Sequence, residues 1–240
     1  GDGALRWPRS EALRKALGDK IGAIIGQPLH LAKEGYVLAV SPDGRLHAIF
    51  DEGGNYAEGA ELFPGSIEGQ PLFWRETDGG VTVVVAEERV GIHAFAVAAG
   101  LPLTVKRLWT RIEFADEGVS APFLAHGNHV FAGFRSGRIA RFERRTGQWT
   151  PTQTYQLPGP VTGEMAIAGD KLLAVCRSGA RSAALVALDL RPGKNQTAAW
   201  RYEVAKAPIV SGVAALAVAG GGATAFGAGE MLYVFEVDEQ

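Results

Sequence analysis

The sequence predicts an all-β fold built from about five copies of one four-stranded antiparallel unit, and three observations carry that reading. The stretch GNHVFAGFRSGRIARFERRTGQW, residues 127 to 149, reads as an apolar strand, a tight turn at Ser136-Gly137, a second apolar strand, a closing turn at Thr146-Gly147 and then Trp149. Four further stretches follow the same plan, which marks a repeat protein. The 32 glycines in 240 residues are too many for a helical protein and suit a chain of tight turns.

Taken in order, residues 1 to 20 hold a short apolar stretch ending at Trp7 and the best helix signal in the chain. Ser10 caps it, Leu13 and Leu17 are spaced i to i+4, and Gly18 ends it. This N-terminal strand and short connector helix precede the repeats of residues 21–240, whose units are expected at about 21–66, 67–115, 116–158, 159–205 and 206–240.

The first unit runs GQPLHLA, GYVLAVSPDG, RLHAIFDEGG, and the second GQPLFW, GVTVVVAEER, VGIHAFAVAAG. The third is SAPFLAHG, NHVFAGFRSG, RIARFERRTG, the fourth TGEMAIAGD, KLLAVCRSG, AALVALDLRPG, and the fifth SGVAALAVAG, ATAFGAG, EMLYVFEV. Pro28, Pro71, Pro122, Glu164 and Val213 occupy equivalent positions, at intervals of 43, 51, 42 and 49 residues. A period near 46 made of short strands is the size of one four-stranded β-propeller blade.

The strand after each central turn aligns best. Leu46, Ile92, Ile139, Leu185 and Leu232 share one column, and Ile49, Phe95, Phe142, Leu188 and Phe235 another. Between them Ala48, Ala94, Ala187 and Val234 are small, and Arg141 is the exception. Apolar residues at both odd and even positions imply strands buried on both faces, as stacked blades require.

The pattern of turn glycine, Leu-Tyr-Ala-Leu-Asp, a second glycine and a nearby Trp resembles the pyrroloquinoline-quinone-type (PQQ-like) repeat of bacterial propellers. SPDGRLHAIFDEGG, FRSGRIARFERRTG and AALVALDLRPG match it most closely, and the likeness covers nearly all of residues 21 to 237. The Gly-His and Trp-Asp marks of WD40 repeats are missing. Trp109, Trp149 and Trp200 each follow a unit's closing glycine, where an outermost strand is expected, with Phe63 standing in for the first unit. Because the fifth unit ends without such a strand, residues 4 to 7 are expected to supply it and close a ring of five. The alternative is a fragment of a seven- or eight-bladed ring.

Function is harder to read. A formal net charge of -2 argues against a general affinity for nucleic acid or anionic membrane. No run of 18 apolar residues is present to span a membrane, no signal peptide is visible in the given chain, and no compartment follows. The one cysteine, Cys176, sits among apolar strand residues and reads as a buried structural thiol. His47 and His93 share a column and read as packed histidines rather than ligands, while His126 and His129 bracket the Gly127-Asn128 turn without nearby acids or cysteines. Neither a GxSxG elbow nor a GKS/T phosphate loop occurs.

The quinone enzymes that the repeat resembles use calcium and, in many members, a ring made by two adjacent cysteines, which one cysteine cannot form. The resemblance therefore implies the scaffold without cofactor, metal or catalytic residues. Propellers of this type serve as assembly factors in outer-membrane biogenesis, as sensor domains and as partners of other modules. The reading is a soluble, non-catalytic scaffold that binds another protein, within a larger assembly or beside a fused domain. The alternative is an enzyme or small-ligand binder working at the channel mouth, either a quinoprotein remnant or a hydrolase.

Candidate binding residues are Gln27 and Gln70, among the small or neutral starts of the units' first strands, and Arg135, Arg138, Arg141, Arg144 and Arg145, which suit an acidic partner. Glu164 joins them: a charge at the small column occupied by Arg141 needs a carboxylate or water, and Glu164, replacing proline in the next unit, is the expected partner, with Glu143 the rival.

Overall fold

The computed structural model describes residues 21–237 apart from 53–54, 99, 150–153, 181, 192–197, 205–212, 219–220 and 229–230. The N-terminal strand and helix expected over residues 1 to 20 lie outside the described residues. Regular structure in the described chain consists of nineteen strands and one 3-10 turn, Ile112–Phe114. The chain divides into two compact units, Gly1–Asp116 and Glu117–Gln240.

The first unit holds two four-stranded antiparallel sheets, each strand paired with the next in sequence. One comprises β1 (Ile25–Leu31), β2 (Tyr36–Ser41), β3 (Arg45–Phe50) and β4 (Tyr56–Glu61); the other β5 (Ile67–Arg75), β6 (Val81–Glu87), β7 (Gly91–Val97) and β8 (Val105–Arg111). All of β2 is buried, and so is all of β3 except its two ends. Leu38, Val40, Leu46 and Ala48 on one face share a core with Val81, Val83, Val85, Phe95 and Val97, while Ala39 and Ile49 on the other pack with Ile21 and Tyr56. Burial on both faces explains why these strands read as continuous apolar runs instead of alternating. The outer strand β4 is half-buried along most of its length, with Ala57 and Ala60 against the first core and Tyr56 against the other.

The connection from β4 to β5 is held down rather than loose. The Leu62 N–H donates to the Gly44 carbonyl at 2.9 Å and the Ile67 N–H to the Pro42 carbonyl at 2.8 Å. Phe63, expected as an outer-strand aromatic, lies in this connection instead, buried with its ring centroid 5.3 Å from that of His93 and 6.4 Å from that of Phe95.

The second unit contains β9 (Leu124–His126), β10 (His129–Gly133), β11 (Arg138–Glu143) and β12 (Thr154–Gln156) in one sheet, and β13 (Ala166–Ala168), β14 (Lys171–Gly179), β15 (Ser182–Asp189) and β16 (Ala198–Val204) in the next. A third sheet has three described strands, β17 (Ala214–Val218), β18 (Gly221–Ala228) and β19 (Met231–Val237). Phe131, Ile139 and Tyr155 of the first sheet share a core with Leu172, Ala174, Cys176, Val186 and Leu188 of the second. The opposite face of that second sheet buries Leu173, Val175, Leu185 and Ala187 with Val204 and Val213.

Trp109 and Trp200 lie in the outer strands β8 and β16, as the repeat predicts. Trp149 does not. It precedes β12, where its indole N–H donates to the Thr154 hydroxyl at 3.0 Å and the Arg138 guanidinium lies 6.0 Å from its ring centroid.

Candidate functional site

The same irregularity recurs in the first strand of four sheets. In β1, Ile25 pairs with Val40 and Leu29 with Leu38, so two surplus residues lie between the pairs. In β5 the same surplus separates Glu68–Ala86 from Leu72–Val84. The second unit repeats it, since the bridge Val119–Phe134 is followed by Leu124–Phe131 and the bridge Val161–Cys176 by Ala166–Leu173.

The residues in these bulges explain them. Gly26-Gln27-Pro28 and Gly69-Gln70-Pro71 combine a proline, which has no N–H for the ladder, with a glycine in the left-handed region, at φ 68° and 74°. A Cβ on Gly26 would stand 2.8 Å from Pro71 Cδ and 3.5 Å from Gln70 Cβ, so the two bulges nest and no larger residue fits. Gly26 is thereby brought against Pro71 and Gln70 of the neighbouring first strand, and Gln27, the next residue after Gly26, and Gln70 are both exposed.

The arginines, clustered within eleven residues of sequence, are divided by the fold. Arg135 and Arg138 flank the β10–β11 turn, where Arg138 pairs with Glu117. Arg144 and Arg145 belong to the turn after β11, at the other end of the strand. Six residues of extended chain from Arg138 to Arg144 span about 20 Å, so these four do not form one stripe. Arg141 sits mid-strand opposite Phe131. The expected pairing with Glu164 is not present: among the described residues no ion pair joins them, because Glu164 is exposed in the bulge before β13, where its carbonyl accepts the Val213 N–H at 3.0 Å.

The histidines are built into the scaffold. His47 is 1% exposed, and its Nε2 lies 2.7 Å from the Ser41 hydroxyl, which donates to the Asp43 carboxylate. These are the residue types of a nucleophilic triad in the wrong order. The acid contacts the serine, while His47 Nδ1, which a triad's acid would orient, is buried without a hydrogen-bond partner. Burial, with the Arg45 charge adding to it and Asp43 opposing, lowers the His47 pKa.

His93 lies in the same column, with Nδ1 2.9 Å from the Thr110 hydroxyl and Nε2 3.1 Å from Glu87 Oε2. Nε2 makes no hydrogen bond, so the Glu87 approach is a close contact off the donor axis. Burial, helped by the Arg107 charge, lowers the His93 pKa to about 4, and burial raises that of Glu87. This contact of Glu87, His93 and Phe63 had no sequence signal, since Glu87 reads as a solvated turn charge. Cys176 is fully buried, and desolvation raises its thiol pKa to about 11, so it is inert as a nucleophile. His126 and His129 face each other across the β9–β10 hairpin, and His129 faces Glu143 on its other side. Among the described residues no group of three or more His, Cys, Asp or Glu is placed to hold a metal ion.

No family model matches the chain, and no curated protein does. Solved structures do. Sqt1 of Saccharomyces cerevisiae matches 85% of this chain at 14% identity with a TM-score of 0.61, BBS1N in complex with ARL6DN matches 87% at 12% and 0.58, and BamB of Moraxella catarrhalis matches 91% at 14% and 0.51. The chain spans 55%, 63% and 75% of those chains respectively. At such identities the likeness shows the fold alone. With the successive antiparallel sheets, it defines the class as a β-propeller of four-stranded blades. No helix among the described residues is long and apolar enough to cross a membrane.

Proposed function

We propose that this β-propeller, with blades of the PQQ-like type at the boundaries read from the sequence, is a non-catalytic module that binds another protein. The nested Gly-Gln-Pro bulges carry the proposal. They set Gln70 against Gly26, the residue before Gln27, on the first strands of two successive sheets, and both glutamines are exposed. A carboxamide donates and accepts at once, as a peptide group does, so an exposed pair on adjoining first strands suits a polypeptide segment. BBS1N, one of the similar structures, is itself in a complex with ARL6DN, which supports the class of role without naming a partner. The arginines, divided between two ends of β11, offer an acidic partner two small contacts at most.

The test is site-specific photo-crosslinking in the cells that make the protein, with a benzophenone amino acid at position 27 or 70 and, as a control, at the exposed Lys33. One protein captured from both glutamine positions and absent from the control supports the reading. Capture at all three alike, or at none, refutes it, as does turnover in a dye-reduction assay after reconstitution with quinone and calcium.

A further inference from the structure

From the surroundings of Arg141 we propose that the sheet β9–β12 carries an oxyanion site, in which the Arg141 guanidinium, flanked by His129 and Tyr155, binds a carboxylate or phosphate group of a ligand. The site is independent of the glutamine bulges, and either proposal can fail without the other.

Register places the three side chains on one face. His129 pairs with Glu143, Phe131 with Arg141 and Tyr155 with Ile139, so His129 and Tyr155 are each diagonal neighbours of Arg141 on the strands either side of it. Diagonal neighbours on one face lie about 7–8 Å apart, within reach of long side chains. Phe131, Ile139 and Tyr155 pack against Leu172, Val186 and Leu188 of the next sheet, so Arg141 lies at the margin of an apolar contact between two sheets. Ala48, Ala94 and Ala187 fill its column in three other repeats and are 0% exposed, and Val234 fills it in the last at 60%. Only here does a half-buried cation take that place.

The cation lacks a counter-ion in the described chain. Its Nε is sealed from water with no hydrogen-bond partner. The nearby acids are committed elsewhere. Glu143 accepts from the Thr146 N–H and hydroxyl, both at 2.6 Å, and from Asn128, while Asp189 accepts from the Arg191 backbone N–H at 2.9 Å and its Nε–H at 3.0 Å.

Sealing part of a guanidinium from water without a partner is costly, and an anion bound at the two Nη atoms compensates the charge through the planar fork. The flanking groups are suited to complete it. Burial and the Arg141 charge lower the His129 pKa, leaving an uncharged imidazole able to turn an N–H toward the anion, and the Tyr155 hydroxyl donates only a long 3.4 Å bond to the Asp189 carbonyl.

The test is thermal unfolding of the full chain in acetate or inorganic phosphate against chloride at equal ionic strength. Wild type should melt several degrees higher in one of the two oxyanions, saturably, and the anion with the lower half-saturation identifies the ligand group as carboxylate or phosphate. Arg141→Ala restores the column's usual residue, so it should melt in chloride at least as high as wild type and lose the oxyanion response. Arg141→Lys keeps the charge without the fork and should need about tenfold more anion. A wild type indifferent to both oxyanions, an Arg141→Ala protein that responds as wild type does, or an unchanged half-saturation in Arg141→Lys overturns the assignment.

Discussion

Alanine at Gly44 and Gly137 should destabilise the fold far more than alanine at Gly79, although all three glycines are left-handed, at φ 77°, 86° and 91°. The shared cost is conformational. A left-handed alanine costs about 1–2 kcal/mol, offset by about 0.4–1 kcal/mol through a stiffer unfolded chain. At Gly79 nothing lies within 4 Å of the added Cβ, so that small difference is the whole effect.

At Gly44 the Cβ would stand 2.4 Å from the Phe63 carbonyl oxygen and 2.9 Å from that of Gly65, and at Gly137 it would stand 2.7 Å from the Gly159 oxygen and 2.8 Å from that of Leu157. Both neighbours are backbone of the connection to the next sheet, anchored by Leu62 N–H to Gly44 and Leu157 N–H to Gly137, each at 2.9 Å. Making room displaces the connection at a cost of about 1–3 kcal/mol for overpacking, and the lost hydrogen bond adds about 1 kcal/mol. Gly44→Ala and Gly137→Ala should therefore each cost about 2–6 kcal/mol, against under about 2 kcal/mol for Gly79→Ala. Equilibrium urea unfolding followed by tryptophan fluorescence and by circular dichroism measures all three. Equal losses within about 0.5 kcal/mol would mean that the turn glycines serve only their own φ and do not seat the connections between sheets.

Two further outcomes follow from buried groups. His93 takes a proton near pH 6.5 when unfolded but only near pH 4 when folded, so the unfolded chain binds more protons between those values and stability falls as pH drops through that window. The loss is at most about 3 kcal/mol, and His93→Gln should flatten it in urea titrations from pH 7 to 4. Glu87 works in the opposite sense, because its raised folded pKa favours the folded state at low pH and that contribution fades as pH rises. Cys176 should resist a disulfide reagent at pH 8 in the native protein and react at once in urea. Rapid native labelling would contradict the burial of its thiol.

The strands, the turns and the antiparallel order of each sheet were legible in the sequence because each depends on neighbours along the chain. The runs YVLAVS and VTVVVAE declare burial on both faces, and SPDGR and RSGR mark the turns between paired strands. The candidate site was legible only in part. GQP at 26–28 and 69–71 announced a repeated element, but that Gly26 seats Pro71 beside Gln70 depends on how β1 meets β5. Likewise the five arginines between 135 and 145 form one cluster on paper, while an extended strand carries Arg138 and Arg144 about 20 Å apart. Arg141 was visible as a break in its column, yet whether a carboxylate reached it depended on the reach and prior bonds of side chains far away in sequence. The contact of Glu87, His93 and Phe63 left no local mark, since a loop residue, a strand end and a mid-strand histidine meet only when two sheets pack. Period and pattern follow from local backbone geometry and the cost of exposing apolar surface. Which polar group meets which is decided by packing between sheets, and tertiary structure alone determines it.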